Sequence, residues 1–199
     1  MARARTVPTY KEISGQIDAR STPTLDVGCG NNKIPGAVGI DLVPGPQIDI
    51  VHDLDTTPWP LESNSFQVIR LWSVMEHLHD LVATMEEVHR IARPGATVLI
   101  GTPHFSSANA YTDPTHVHFL SGRFLDYFIE GSELSGHYGF YSKVRFRLEE
   151  RRVTLSPFWA RFRITRLMNR ILPVYETYLC GIIRGADVLL KLTVIKWGP

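Results

Sequence analysis

The stretch Leu25-Asp26-Val27-Gly28-Cys29-Gly30 constrains this chain more than any other. An apolar run that ends in an acidic residue and two glycines spaced by one has the form of a buried strand entering a tight turn. Without a Cβ at those two positions, backbone amides can come close to a ligand at the carboxyl end of the strand. The third glycine of a G-x-G-x-x-G turn is missing, and Pro35-Gly36 stands where a long nucleotide-binding helix would begin. That disfavours a dinucleotide, whose pyrophosphate sits on a helix N-terminus.

The segments after this one repeat the strand pattern. Residues 37–42, 48–51, 66–72 and 97–101 are short Val/Ile/Leu-rich runs bounded by Gly, Pro, Asn or Asp, which gives five strand candidates in the first hundred residues. Between the fourth and fifth, Leu81, Val82, Met85, Val88, Ile91 and Ala92 repeat with helical period. Asp80 stands at the N-cap and Arg93-Pro94-Gly95 at the stop. A strand, a helix and a further strand form a right-handed crossover between parallel strands, so the fold class is α/β.

With 199 residues, 44% of them hydrophobic and 21% charged, the chain suits one domain with a sizeable core. Residues 1–22 read as a polar arm or short helix. Beyond residue 101 the pattern predicts a loop to His118, a short helix over 121–129, a Gly/Ser-rich turn over 131–139 and an ordered run over 144–155. Helices are expected over 158–172 and 174–183, separated by Pro173, with a last strand over 187–196. Glu87 and Arg90, one turn apart on the long helix, read as a solvated pair.

Two distant cysteines, Cys29 and Cys180, give neither a disulfide framework nor a zinc motif and fit a reducing cytoplasm. No apolar run reaches the roughly 18 residues of a membrane span, and no apolar core of an export signal follows the N-terminus. Charge is split along the chain: residues 143–199 carry 12 Lys/Arg against 4 Asp/Glu, and residues 1–142 carry 9 against 16. In the 158–172 segment, Phe158, Trp159, Phe162, Leu167, Met168, Ile171 and Leu172 lie largely opposite Arg161, Arg166 and Arg170. Such a face covers a core, takes up an anionic acceptor or contacts a membrane surface peripherally. No RNA-binding module is visible and net charge is only +1, so a nucleic-acid partner is not expected.

Several motifs stand in order: Leu-Asp-Val-Gly-Cys-Gly, Gly39-Ile40-Asp41-Leu42, His52-Asp53-Leu54, Pro58-Trp59-Pro60 before Asn64-Ser65-Phe66, Met75-Glu76-His77-Leu78, and Glu87-Val88-His89-Arg90-Ile91 before Pro94-Gly95. Over residues 24–119 this resembles the class I S-adenosylmethionine-dependent methyltransferases, in particular the short type 11 group. The resemblance implies a Rossmann-like, seven-stranded and mostly parallel sheet flanked by helices. It also implies a core over 24–119, a C-terminal helical lid with substrate-side elements over 120–185, and a closing antiparallel strand over 187–196. S-adenosylmethionine is the implied cofactor. Asp26, Gly28, Cys29 and Gly30 would cradle its methionine end, Asp41 and Leu42 its ribose, and Asp53 and Leu54 its adenine, with Ser73 along the remaining edge. One departure stands out, since only ten residues separate Gly30 from Asp41, too few for a full helix between the first two strands.

Open α/β sheets bind their ligands outside the carboxyl ends of the strands, and here those ends are rich in histidine. Methyl transfer to a hydroxyl needs a positioned lone pair and a group to take its proton, for which imidazole is suited. His104, His116 and His77 are the candidate bases, and Glu76, Asp113 and His118 the candidate acceptor-binding groups. His104, Asp113, His116 and His118 could instead gather a metal ion, or simply satisfy loop carbonyls. The expected activity is methyl transfer to oxygen of a small or sugar-like acceptor. The alternative is a non-catalytic protein that uses the 104–118 loop and the basic C-terminal face for metal binding or docking.

Overall fold

A computed structural model describes residues 18–196, so most of the expected N-terminal arm lies outside the described residues. Seven strands form one sheet: β1 (Thr24–Val27), β2 (Val38–Asp41), β3 (Ile50–Val51), β4 (Phe66–Trp72), β5 (Ala92–Pro103), β6 (Arg145–Leu155) and β7 (Gly185–Ile195). Their order is β3-β2-β1-β4-β5-β7-β6. The first five are parallel, and β7 inserts antiparallel to both β5 and β6. The expected sheet and its closing strand are both present.

β1, central among the parallel strands, is buried along its whole length. Helix α1 (Leu81–Ile91) is the crossover between β4 and β5. Asp80 caps it by accepting from the amides of Val82 and Ala83, and Met85, Val88 and Ile91 are fully buried beneath it. β5 starts at Ala92, directly after the helix and five residues before the expected strand. The redirection is made at Ala92, whose φ of −70° and ψ of 145° are already extended; Gly95, at φ 74°, lies three residues further on inside β5. As the ten-residue spacing required, no helix joins β1 to β2.

Glu87 and Arg90 are not a solvated pair. Glu87 is 7% exposed, accepts the Trp59 amide at 2.7 Å and pairs with Arg90 at 2.7 Å. Arg90 in turn donates to the carbonyls of Trp59 and Leu61. The pair therefore fastens the 52–65 loop to α1, a tertiary duty that helical spacing alone could not reveal.

The C-terminal third is more broken than its periodicity predicts. Residues 121–129 hold only a 3-10 turn at Asp126–Phe128, whereas α2 (Asn109–Thr112) and α3 (Glu133–Tyr138) form where loop and turn were expected. Ser132 explains α3, since its hydroxyl accepts from the Ser135 amide. The 158–172 stretch splits into α4 (Pro157–Ala160) and α5 (Thr165–Arg170), with Arg163 between them at φ 58°. Pro173 separates nothing. It sits in the first turn of α6 (Leu172–Val174), where a missing N–H costs no helical bond, and the chain continues into a π turn at Tyr175–Leu179. Met168 and Leu172 reach the core, but Phe158, Phe162 and Leu167 are more than half exposed, so this face covers the sheet only in part. Among the described residues no helix is long and apolar enough to cross a membrane.

Candidate functional site

Parallel pairing brings the carboxyl ends of β1, β2, β3 and β4 to one edge of the sheet. The turn after β1 needs its glycines. Gly28 has φ 58° and Gly30 φ 48°, both in the left-handed region. A Cβ on Gly28 would lie 2.2 Å from Cγ2 of Val74, whereas one on Gly30 would meet nothing within 4 Å. The turn is packed on its inner side against the residue after Ser73 and open on its outer side.

Asp26 holds this turn from behind. It is fully buried, receives Arg70 Nε at 2.6 Å and Nη2 at 2.5 Å, and accepts the Ile34 amide at 2.8 Å. Burial pushes its carboxyl up, against the opposing pull of Arg70 and that amide. With both oxygens engaged by Arg70 and the Ile34 amide and no exposed surface, Asp26 holds the shape of the loop from behind.

Asp41 stands at the end of β2, half-buried, with Oδ2 accepting the Gly30 amide at 2.9 Å and Oδ1 the Val43 amide at 3.1 Å. The His52 amide donates to the Asp41 carbonyl, which brings exposed Asp53 alongside. Leu42 is exposed, whereas the Leu54 side chain is core and only its carbonyl is used locally, by the Trp59 indole. Burial raises the Cys29 thiol, whose sulfur packs within 2.7 Å of where a Cβ on Gly39 would stand. Ser73, exposed and at φ 52°, marks the edge nearest β5. An open glycine turn, a carboxylate at the end of β2 and a second at the end of β3 match what an adenosine carrying an amino-acid chain needs, so these residues fit S-adenosylmethionine.

Ser73 also lines a neighbouring cleft of about 550 Å³, together with Glu76, His77, Asp113, His116 and Asp187. Glu76 is 1% exposed; its Oε2 accepts the Thr102 hydroxyl at 2.8 Å. The rings of His77 and His116 meet edge to face at 4.7 Å. His116 Nδ1 lies 2.9 Å from the Ala110 carbonyl, which can only accept, so Nδ1 carries the proton and Nε2 the lone pair. His77 is fixed by a relay. The Thr115 hydroxyl gives its single proton to Asp113 at 2.6 Å and therefore accepts from His77 Nδ1 at 3.0 Å. These bonds from Thr115, through its hydroxyl and its amide, also hold the Asp113 carboxyl below its usual range.

Two expected site residues do not face this cleft. His104 is fully buried, with Nε2 3.2 Å from Glu176 and Nδ1 accepting the Ser106 amide at 3.2 Å. With Nδ1 accepting, Nε2–H donates to Glu176 and no lone pair is left to take a proton, so His104 is a structural clamp and not a base. His118 points its Nε2 at the His79 carbonyl, 3.3 Å away, and its amide donates to the Glu76 carbonyl. It docks the loop and does not line the cleft.

The residues that sequence reasoning missed are Thr102, Thr115, Glu176 and Asp187. Thr115 lies inside the Asp-Pro-Thr-His stretch and could have been found there. Asp187 could not, since only the antiparallel insertion of β7 places it opposite Pro103. Burial, reinforced by the Glu76 charge, pushes the Asp187 carboxyl up.

Residues 5–134 match the model of a methyltransferase domain family, which is more than half of the chain. A solved S-adenosylmethionine-dependent methyltransferase from Methanosarcina mazei has a TM-score of 0.58 at 13% identity, covering 95% of this chain and 99% of that one. One from Mesorhizobium loti gives 0.53 at 15% identity over 86% and 90%, and one from Archaeoglobus fulgidus 0.52 at 15% over 86% of each. At such identities the likeness is one of fold. No curated protein sequence matches. The family match and the sheet that carries the glycine turn agree: this chain belongs to the class I S-adenosylmethionine-dependent methyltransferases.

Proposed function

We propose that the chain methylates an oxygen of a small or sugar-like acceptor bound in the cleft beside Ser73. The observation that carries this reading is the His77–His116 pair, whose Nδ1 hydrogen bonds leave both Nε2 lone pairs for an acceptor hydroxyl. Gly28 and Gly30 open the turn to the cofactor, Asp41 accepts its ribose hydroxyls, and Asp53 and the Leu54 backbone border its adenine. Cys29 and Leu42 belong to the same two turns, and Asp26 keeps the first in shape. Bound S-adenosylmethionine supplies an electrophilic methyl group on a sulfonium. His77 or His116 takes the hydroxyl proton at Nε2, while Glu76, Asp113 and Asp187 orient the acceptor. A general base held within reach of the acceptor contributes about 10²–10⁴-fold to such a step.

The 103–142 segment closes over the acceptor, and Glu176 ties the C-terminal helices to it through His104 and the Gly122 amide. Exposed Phe158, Phe162 and Leu167 beside Arg161, Arg166 and Arg170 suit an anionic acceptor or a peripheral lipid contact. Buried free thiols at Cys29 and Cys180 are consistent with the cytoplasm.

Calorimetric titration with S-adenosylmethionine, its demethylated product and NAD should show binding of the first two only. Transfer of a labelled methyl group to a panel of polyols and hydroxy acids then finds the acceptor. Undiminished turnover in a His77→Ala/His116→Ala double variant would remove the base assignment.

A further inference from the structure

Glu76, His77 and His116 each offer one ligand atom, and these atoms all lie within 4.8 Å of one another. We infer that they form a binding site for one divalent transition-metal ion at the base of the acceptor cleft. Four observations support this. First, Oε1 of Glu76 is buried and has no hydrogen-bond partner among the described residues, although Oε2 of the same carboxylate is held by Thr102. A carboxylate oxygen at this depth is costly unless a donor or a cation faces it.

Second, both imidazoles are oriented from outside the cluster, His116 by the Ala110 carbonyl and His77 by the Thr115–Asp113 relay. A metal-ligating histidine is set in this way, with the far ring nitrogen donating to a carbonyl or to a carboxylate chain. Third, two imidazoles and one carboxylate suit zinc, iron(II) or cobalt(II), whereas magnesium and calcium prefer oxygen throughout. Fourth, three protein ligands leave coordination positions open, and the cleft gives them access to an oxygen of a bound molecule.

Only the role of the ion rests on the methyl-transfer reading. Coordinated to it, an acceptor hydroxyl becomes more acidic and can release its proton to solvent. With the ion bound, the free lone pairs of both rings are committed to it, and the base role proposed above belongs to the ion-free protein. The acceptors favoured are those with an oxygen able to coordinate, such as hydroxy acids and vicinal diols.

Chelator-treated full-length protein should be titrated with cobalt(II), with magnesium(II) as the hard-ion control, and read by visible absorption and calorimetry. The expected result is one cobalt(II) per chain with a ligand-field band, displaced by zinc(II), and no saturable magnesium(II) binding. Half-exposed His77 and His116 allow His77→Ala and His116→Ala, each weakening cobalt(II) more than about tenfold. Thr115→Val, which breaks the relay and removes no ligand, should weaken it by about tenfold. S-adenosylmethionine binding on the same sample separates the two readings. Cobalt(II) binding without cofactor binding supports the ion site and overturns the methyl-transfer reading. Cofactor binding with no cobalt(II) band, or equal cobalt(II) affinity in all variants, overturns the ion site and leaves an imidazole as the base.

Discussion

Replacing Gly28 with alanine isolates the feature on which the cofactor turn depends. The new Cβ would stand 2.2 Å from Cγ2 and 3.3 Å from Cγ1 of Val74, which is 5% exposed and cannot swing away. Carbon atoms in contact sit about 3.5–4.0 Å apart, so turn and strand end must separate by more than about 1 Å. Overpacking of that kind costs about 1–3 kcal/mol, and a Cβ at φ 58° adds about 1–2 kcal/mol. Gly30→Ala is the internal control, because its φ of 48° carries the same backbone cost while nothing lies within 4 Å of its Cβ. Gly28→Ala should therefore destabilise the fold by about 2–5 kcal/mol and Gly30→Ala by about 1–2 kcal/mol. Val74→Ala alone should cost about 2 kcal/mol through lost burial and a cavity. Combined with Gly28→Ala it removes the clash, so the double variant should be less destabilised than the sum by about 1–3 kcal/mol. Urea unfolding of the four variants measures this cycle. Additivity within about 0.5 kcal/mol, or equal losses for the two glycine variants, would refute the argument.

Asp41→Ala should weaken S-adenosylmethionine by about tenfold or more, since charge-assisted hydrogen bonds are worth about 1.5–3 kcal/mol; calorimetry checks it. Arg70→Met leaves the fully buried Asp26 carboxylate without its bidentate partner and should destabilise the fold by about 3–5 kcal/mol. That loss is read by urea unfolding, and an effect below about 1 kcal/mol would mean that Asp26 is not charged there. Burial lowers the pKa of His89, and Lys196 adds to this, while its Nε2 bond to the Ile195 carbonyl opposes it. The unfolded chain therefore binds the proton more readily. The contribution of His89 is full above the ordinary imidazole pKa of 6.5 and is lost as pH falls through the lower folded value. Melting temperatures between pH 7.5 and 5 should fall less steeply in His89→Gln than in the parent.

Local chemistry made much of the fold legible. Strands in the middle of the sheet are largely apolar, so β1, β2 and β4 could be read directly, and Asp80 had to cap α1 because its first amides need an acceptor. The Asp-Val-Gly-Cys-Gly turn is likewise local, since only glycine holds two left-handed positions so close together without strain. The spacing from Gly30 to Asp41 left too few residues for a full helix between the first two strands. Sequence named Glu76, His77, Asp113 and His116, which line the cleft, but did not separate them from His104 and His118, which do not line it. His104, His116 and His118 look alike along the chain, yet Glu176, 72 residues beyond His104, locks that ring inside the core. His116 is turned toward His77 by a loop carbonyl. Glu87 was buried by Trp59, and Asp187 reached the cleft through the antiparallel placement of β7 beside β5. Periodicity reports what a residue does within its own element, whereas burial and hydrogen-bond partners come from contacts distant in sequence. The sequence therefore determined the sheet, the crossover and the glycine turn, and tertiary packing decided which of the candidate polar groups line the cleft and added Asp187 to them.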